Sequence, residues 1–402
     1  MERVKKNIFV LMSLAFTGAV GIALIRPILP IFTRRMGVTG FQVGALVSGF
    51  MFARAVAAYI CGRFSDKIER RKVFLPIGFF AYIISCIVLF FSRNYFDVLF
   101  ISIFQGTFSG LIWPIAQVIT IESSVKSFKT RALSFYFASG SAGMSIGNAL
   151  IGTTIIFVMF LFKADENYAF RIIFLLSGVI YLIGFFISFF ITETIPKRVL
   201  TREIERKVPV KENSGFIAVI ILGFLIGIIP GLIRSIIVLY LNEQFLIPTK
   251  NIAFILMAIN ISALFSMLFF SYLSDKKGIV KGLLIVGFIT GIASVIIPFI
   301  NNTFLLIIFL VILGTGARSF TPISRSGVSE LGGRRLGQNI GLINTVNNLG
   351  TVIGPLAGGF FYDLFPKPFL FINCNVLIFS FIGILILLSL LFLPGASRRH
   401  TI

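Results

Sequence analysis

The chain has 402 residues, of which 57% are hydrophobic and only 13% are charged. A soluble domain carries about twice that share of charged residues, so the composition excludes a soluble globular protein. The net charge of +21 would suit a nucleic-acid-binding protein if the basic residues were gathered on one face, but they are spread over short loops between long apolar runs. We therefore expect a protein whose main partner is the lipid bilayer and that binds no nucleic acid.

Taking about twenty apolar residues as one membrane crossing, the sequence predicts twelve spanning helices, which we number spans 1 to 12. In chain order they are 7–32, 41–62, 73–92, 97–121, 132–160, 170–191, 215–241, 251–273, 282–300, 303–325, 340–361 and 369–392. The apolar run of span 1 is too long for a cleaved signal peptide. Most Lys and Arg residues lie in the tails and loops on one side, which predicts a multi-pass protein of the cell membrane with both termini in the cytoplasm.

An internal repeat of slightly more than 200 residues runs through the chain. The charged loop Gly62–Lys72 (GRFSDKIERRK) recurs as Ser271–Lys281 (SYLSDKKGIVK), and Arg26 of span 1 recurs as Arg234 of span 7. Three glycines of span 5 recur at one constant offset in span 11; the two sets are Gly143, Gly147, Gly152 and Gly350, Gly354, Gly359. The repeat predicts two six-helix bundles, 1–192 and 215–402, joined by a cytoplasmic linker over 193–214.

The first charged loop follows the pattern Gly-x-x-x-Asp-Arg/Lys-x-Gly-Arg-Arg, with Glu69 at the position where the pattern has its second glycine. The matching residues are Gly62, Asp66, Lys67, Arg70 and Arg71. This loop resembles the one between helices 2 and 3 of major facilitator superfamily transporters. The resemblance implies an all-α membrane fold of twelve transmembrane helices in two pseudo-symmetric bundles, and a gating role for these residues and for Asp275 of the second copy.

A glycine motif in span 11 is the second resemblance. It consists of Gly341, Gly350, Gly354, Pro355, Gly358 and Gly359. It resembles the helix 5 motif of drug antiporters in the same superfamily, although here the better copy lies in the second half. The end of span 1, Arg26-Pro27-x-x-Pro30, is similar to that of many efflux-type members. Since glycines spaced four apart let helices approach closely, we expect the motif to serve packing and gating rather than chemistry.

Polar side chains within spans are costly in lipid, so they are the candidate lining of a solute cavity. Two stripes stand out, one in span 4 and one in span 11. They consist of Gln105, Ser109, Trp113, Gln117 and Thr120, and of Asn344, Asn347, Asn348 and Thr351. The alternative is that they only form interhelical hydrogen bonds, at about 0.6 kcal/mol each. Spans 3, 6, 9 and 12 are nearly devoid of such stripes, and the resemblance implies that these four face lipid.

Four arginines, Arg26, Arg54, Arg234 and Arg318, lie within spans, each at a cost of about 2.5 to 3.5 kcal/mol at a helix centre. Arg54 and Arg318 lie deepest, and we predict that one of them sets the charge of the cargo. Arg26 and Arg234 are also candidates for the cavity lining, but they lie in the outer third, where a long side chain can instead snorkel to water. Arg26 points away from the polar face of span 1 unless the kink at Pro27 turns it.

No Asp or Glu lies in the middle of a span, so an intramembrane proton carrier is missing. Many superfamily members also have an arginine in helix 4, three residues before a Gln-Gly pair. That position is Ser102 here, before Gln105 and Gly106.

Motifs of catalysis are not evident in the sequence. The Gly-x-Ser-x-Gly match at Gly143–Gly147 lies in an apolar span, and the single histidine, His400, is in the tail. The three cysteines have no metal-ligand spacing. We expect no enzyme activity, no metal and no cofactor. The resemblance implies a monomeric, gradient-driven, efflux-type permease that carries a small organic solute by alternating access. Two alternatives are an organic-anion exchanger or uniporter that uses the intramembrane arginines, and a non-transporting receptor of the same fold.

Overall fold

The computed structural model describes residues 2–68, 71–124, 129–193, 214–331, 336–365 and 372–393. The described residues form fourteen α-helices. They are α1 Glu2–Ile25, α2 Leu29–Arg34, α3 Gly40–Ile68, α4 Phe74–Phe91, α5 Tyr95–Glu122, α6 Lys129–Phe162, α7 Glu166–Phe189, α8 Ser214–Leu232, α9 Val238–Glu243, α10 Thr249–Lys277, α11 Ile279–Ile296, α12 Thr303–Leu331, α13 Leu336–Leu364 and α14 Leu377–Leu390. A π-helix over Ile233–Ile237 joins α8 to α9, and 3-10 turns cover Ile297–Phe299 and Cys374–Val376.

In the described part of the chain, ten helical stretches are long and apolar enough to cross a membrane. They are Lys6–Arg34, Gly40–Ile60, Phe74–Phe91, Tyr95–Glu122, Ala132–Phe162, Glu166–Phe189, Gly215–Glu243, Thr249–Lys277, Ile279–Phe299 and Thr303–Val328. These correspond to spans 1 to 10. Span 11 corresponds to α13, which carries the polar stripe, and span 12 to the shorter apolar helix Cys374–Leu390. The prediction of an all-α membrane protein is confirmed; the sidedness of the termini and the division at 193–214 stay predictions.

Spans 1 and 7 are both interrupted at their repeated arginine. In span 1 the helix stops at Ile25 and restarts at Leu29, because Pro27 has no backbone N–H to donate. In span 7 the interruption is the π-helix that contains Arg234. A π-helix inside a longer helix is a wide turn that is frequent at functional sites. The sequence repeat therefore extends to a repeated distortion of the backbone.

The chain packs as two compact units. One, here called the N-unit, contains residues 1–38, 49–199 and 241–261; the other, the C-unit, contains residues 39–48, 200–240 and 262–402. Each unit contains one short segment from the other half of the sequence. The C-unit contains the start of α3, and the N-unit contains the start of α10. The contacts described below lie within one unit or the other.

Glycines bring α6 against α1 in the N-unit. A Cβ atom added to Gly143 would lie 2.5 Å from the Phe16 carbonyl oxygen, and one added to Gly147 would lie 2.7 Å from that of Val20. Only glycine fits such an approach of two backbones. The third glycine of this set, Gly152, faces the ring of Phe254 in α10 instead.

The second copy of the glycine set does the same in the C-unit. Gly350 and Gly354 of α13 lie against the carbonyl groups of Phe224 and Ile228 in α8. The third glycine, Gly359, faces the backbone of Gly40 at the start of α3. In each copy, two glycines therefore pack a helix of the same sequence half, and the third meets a helix contributed by the other half.

Candidate functional site

A cluster of polar and aromatic side chains is centred on Arg26 in the N-unit. The Arg26 guanidinium donates to Gln105 Oε1 at 3.2 Å and to Ser102 Oγ at 3.4 Å. Its central carbon lies 3.4 Å from the centroid of the Phe50 ring, an arrangement that permits a cation–π interaction. Of the two alternatives for Arg26, these contacts favour a side chain directed to the interior over one that snorkels to water, since both acceptors lie on α5. Ser102, which stands in place of the arginine implied by the family resemblance, thus receives a guanidinium from the break between α1 and α2.

Gln105 extends this cluster to α4. Its amide donates to Ser85 Oγ at 2.9 Å, and the Ser85 hydroxyl donates to the Tyr82 carbonyl at 2.7 Å. Both Ser85 and Gln105 are buried. Span 3 therefore contributes polar groups to the interior, contrary to the expectation from its lack of a polar stripe.

Three buried tyrosines surround the arginines, and the sequence reasoning missed all of them. The rings of Tyr82 in α4 and Tyr181 in α7 are in contact, with their centroids 4.7 Å apart and their planes tilted by 37°, and both lie within electrostatic range of Arg26. Tyr136 of α6 packs edge-on against Trp113, with the centroids 6.3 Å apart. Each is the only tyrosine of its predicted span and stands among apolar and other aromatic residues, so no polar stripe marked it. The only signal was that tyrosine carries a hydroxyl.

Arg54 enters the cluster from α3. That helix lies close to α5 because Gly106 and Gly110 face its backbone: a Cβ on Gly110 would be 2.7 Å from the Ala58 nitrogen. The Arg54 side chain is half-buried and lies within electrostatic range of the Tyr82 and Tyr136 hydroxyls. Within the described part of the chain it makes no hydrogen bond and no ion pair.

The polar stripe of span 4 divides into three groups. Gln105 is bound as described, and Thr120 donates to the Ala116 carbonyl of its own helix at 2.7 Å. Trp113 and Gln117 are half-buried. Ser109 is fully buried, and its hydroxyl lies beside that of Tyr82, yet neither hydroxyl makes a hydrogen bond of acceptable geometry with a described residue. An unsatisfied buried hydroxyl costs about 1 to 3 kcal/mol, so this pair calls for a ligand or water.

The predicted site residues of the C-unit are less concentrated. Arg318 on α12 and Arg234 in the π-helix are both half-buried. Asn344 accepts a hydrogen bond from the exposed Arg325 at 3.1 Å, and Asn348 is exposed.

Two other members of the span 11 stripe have a packing role. Asn347 and Thr351 donate to the carbonyls of Gly223 and Gly227 at 3.1 Å each, which ties α13 to α8. For these two residues, interhelical hydrogen bonding accounts for the polar side chain.

The first charged loop is described only in part. Gly62, Asp66 and Lys67 belong to the last turns of α3, but their side chains lie outside the described set, as does all of Arg70. Arg71 is described: its guanidinium pairs with Glu122 at the end of α5, and its backbone N–H donates to Glu193 at 2.8 Å. The basic loop is thereby tied to the ends of spans 4 and 6.

The second charged loop turns at a glycine. Asp275 is exposed near the end of α10, and Gly278, with φ of 96°, separates α10 from α11. A positive φ of this size favours glycine. Gly278 aligns with Glu69 of the first copy, so the second copy retains the glycine that the family pattern has at this position.

Two polar contacts lie at the other ends of the helices. Asp363, near the end of α13, accepts hydrogen bonds from the backbone N–H groups of Gly40 and Phe41 at 2.7 Å each, and thereby caps α3. In the N-unit, Arg34 Nε donates to Glu243 Oε1 at 2.6 Å. Each contact joins residues more than 200 positions apart in sequence. Neither was anticipated from the sequence.

A metal site is not part of this arrangement. Among the described residues, no group of three or more His, Cys, Asp or Glu side chains is placed to hold a metal ion. The cluster around Arg26 contains guanidinium, hydroxyl, amide and aromatic groups, and groups of these kinds can bind and orient a solute.

Comparison with known proteins finds similarity along nearly the whole chain. The family model described as Major Facilitator Superfamily matches residues 11–234 and again residues 219–401. An uncharacterized MFS-type transporter of Methanocaldococcus jannaschii is 25% identical over 379 residues, which cover 90% of this chain and 93% of that protein. Quinolone resistance protein NorA of Staphylococcus aureus is 23% identical over 391 residues, covering 95% and 96% respectively. The crystal structure of the nucleoside transporter NupG superposes with a TM-score of 0.78 at 12% identity, covering 96% of this chain and 99% of that one.

Proposed function

The chain belongs to the Major Facilitator Superfamily, and from that membership we propose that it is a secondary transporter that exports a small organic solute by alternating access. The observation that carries the proposal is the cluster around Arg26 and Arg54. Two interior arginines beside unsatisfied hydroxyls are costly in an apolar helical bundle and do not help it to pack. A solute-binding site uses such groups to hold the solute.

The direction of transport is proposed from a relative. NorA, which is similar along nearly the whole chain, is named for resistance to quinolones, which favours export of a drug-like or metabolite-like solute. The end of span 1 resembles that of efflux-type members, and the glycine motif of span 11 resembles that of drug antiporters. We therefore propose that this chain is of the efflux type.

The energy source is proposed to be a solute or ion gradient. No described carboxylate lies within electrostatic range of Arg26 or Arg54. The titratable groups in range are tyrosines and, for Arg26, the guanidinium of Arg54. Glu122, which lies at the end of α5, is paired with the guanidinium of Arg71. Exchange against a counter-solute is thus favoured over a dedicated intramembrane proton carrier.

Gating is proposed to use the two ends of α3. The charged loop at its far end, with Asp66, would hold the inner ends of the helices together in the outward-open state, as the family resemblance implies. The contact of Asp363 with Gly40 and Phe41 supports the complementary role at the other end: it has to break when that end opens. The protein would act as a monomer in the cell membrane, with both termini in the cytoplasm and without a cofactor.

The proposal is tested by solute accumulation in efflux-deficient bacterial cells that express the chain. We expect lower steady-state accumulation of at least one member of a panel of quinolones, organic anions and cationic dyes than in cells with an empty vector. Ionophores that collapse the ion gradients distinguish ion-coupled export from exchange. Equal accumulation of every member of the panel in both cell lines would contradict export.

A further inference from the structure

We propose that the N-unit binds the acidic group of the transported solute, and that the solute is an organic monocarboxylate with an aromatic or apolar body. The inference rests on the proposed transport function and names its substrate class. The binding group is Arg54, assisted by the hydroxyls of Tyr82 and Ser109.

The two arginines of the cluster differ in what holds them. Arg26 is committed: two of its N–H groups bind Ser102 and Gln105, and its face covers the Phe50 ring. Arg54 is uncommitted, since it makes no hydrogen bond or ion pair with any residue in the described ranges. A guanidinium has five N–H donors in a planar fork that fits the two oxygens of a carboxylate. Arg26 is therefore a positioning residue, and Arg54 is the ligand-binding one.

The charge balance of the cluster points to an anion. The two guanidiniums act on each other, and the other titratable groups in range are the hydroxyls of Tyr82, Tyr136 and Tyr181. No described carboxylate takes part. A cationic solute would add a third positive charge, whereas one carboxylate supplies the counter-charge that the uncommitted arginine lacks. One uncommitted fork fits a single carboxylate.

A second, independent observation concerns the hydroxyls. Tyr82 and Ser109 are at most 1% exposed, and their oxygens lie beside each other in the cluster without a hydrogen bond of acceptable geometry. Buried hydroxyls are normally bonded. Each can donate a hydrogen bond to a carboxylate oxygen held by Arg54. The adjacent rings of Trp113 and Tyr136 provide the apolar surface for the body of the solute.

The chain contains one tryptophan, Trp113, and it lies in this cluster, so its fluorescence reports ligand binding at this place. The experiment titrates the purified full-length protein, in vesicles of uncharged lipid that contain no other protein, with three probes of one skeleton: 4-phenylbutyrate, 4-phenylbutyramide and 4-phenylbutylamine. We expect saturable quenching by the carboxylate at a concentration at least about tenfold below that needed for the amide or the amine, the difference a charge-assisted hydrogen bond makes.

The variants separate Arg54 from its surroundings. Arg54→Gln should abolish the preference for the carboxylate over the amide, and Arg54→Lys should keep part of it, since the charge remains while the fork is lost. Arg171→Gln is the matched control. It removes a half-buried arginine of α7 that lies ten residues before Tyr181 and donates to the backbone carbonyls of Phe90 and Ser92, and it should keep the full preference. Arg54→Lys also serves if the glutamine variant does not fold.

The inference would be overturned by stronger binding of the amine than of the carboxylate, by an unchanged preference in Arg54→Gln, or by no quenching with any probe. Quenching that occurs only after anionic lipid is added would also overturn it, because the site would then bind a lipid headgroup. Failure of the transport proposal looks different. A carboxylate that binds through Arg54 but is never carried across the membrane would refute transport and leave the site intact. Transport of a cation alone would refute the substrate class and leave transport intact.

Discussion

Asp363 is the residue whose replacement tests the conformational part of the account most sharply. Its carboxylate accepts two backbone N–H groups at the start of α3, each at 2.7 Å. Hydrogen bonds to a charged group contribute about 1.5 to 3 kcal/mol each when buried. The carboxylate is half-buried, and the released N–H groups can bond to water, so about half of the combined value survives screening. We therefore expect Asp363→Ala to favour separation of these two helix ends by about 2 kcal/mol, or about 30-fold in the equilibrium.

The separation can be measured by double electron–electron resonance. Spin labels at Phe41→Cys and Leu364→Cys, both exposed positions, report the distance between the start of α3 and the end of α13. The three native cysteines are first replaced by serine. The population with the longer distance should rise in Asp363→Ala. Asp363→Asn keeps one acceptor oxygen and should produce a shift of about fivefold.

Asp165→Ala is the matched control. Asp165 also caps a helix, but it accepts from Tyr168 at 3.1 Å within α7 itself. Its loss should cost about 1 kcal/mol of helix stability and leave the distance between labels unchanged. An unshifted distribution in Asp363→Ala, or an equal shift in Asp165→Ala, would refute the reasoning.

Three further predictions concern the site, the glycine packing and the charged loop. Arg26→Gln should lower the free energy of unfolding by about 2 kcal/mol, measured as the midpoint of denaturation in SDS, because two hydrogen bonds and a cation–π contact are lost; an unchanged midpoint would contradict the cluster. Gly350→Ala should reduce the folded yield, since its Cβ would collide with the Phe224 carbonyl, while Gly341→Ala, with open space around it, should not; equal yields would refute the packing argument. Asp66→Asn should slow solute turnover at nearly normal expression, and unchanged transport would remove Asp66 from the gating mechanism.

The repeated features were predictable from sequence because the duplication preserved their spacing. The offset between Arg26 and Arg234 is within one residue of the offset between the glycines of spans 5 and 11. The structure gives each glycine pair the same packing role in its own half. The helices themselves follow from the long apolar runs, since in lipid a helix satisfies all of its backbone hydrogen bonds within a single segment.

The partners of these residues could not be predicted in the same way. The direction of the Arg26 side chain depends on how the chain leaves the break at Pro27, and spacing along an ideal helix does not describe that break. Tyr82 lies in a span without a polar stripe, where its ring is as apolar as its neighbours and only the fold brings its hydroxyl to Ser109. The cap that Asp363 forms on α3 requires two segments more than 300 residues apart to meet, and no local pattern carries that information.

Counterflow in proteoliposomes tests most directly whether this chain moves a solute across the membrane by alternating access. Vesicles that contain the purified protein are loaded with an unlabelled solute and diluted into buffer with a trace of the same solute in labelled form, for a panel of organic anions and cationic drugs. We expect a transient accumulation of label above its equilibrium level for at least one solute, with a carboxylate giving the largest overshoot. Solute binding to the protein without an overshoot for any member of the panel would contradict transport and favour a non-transporting receptor.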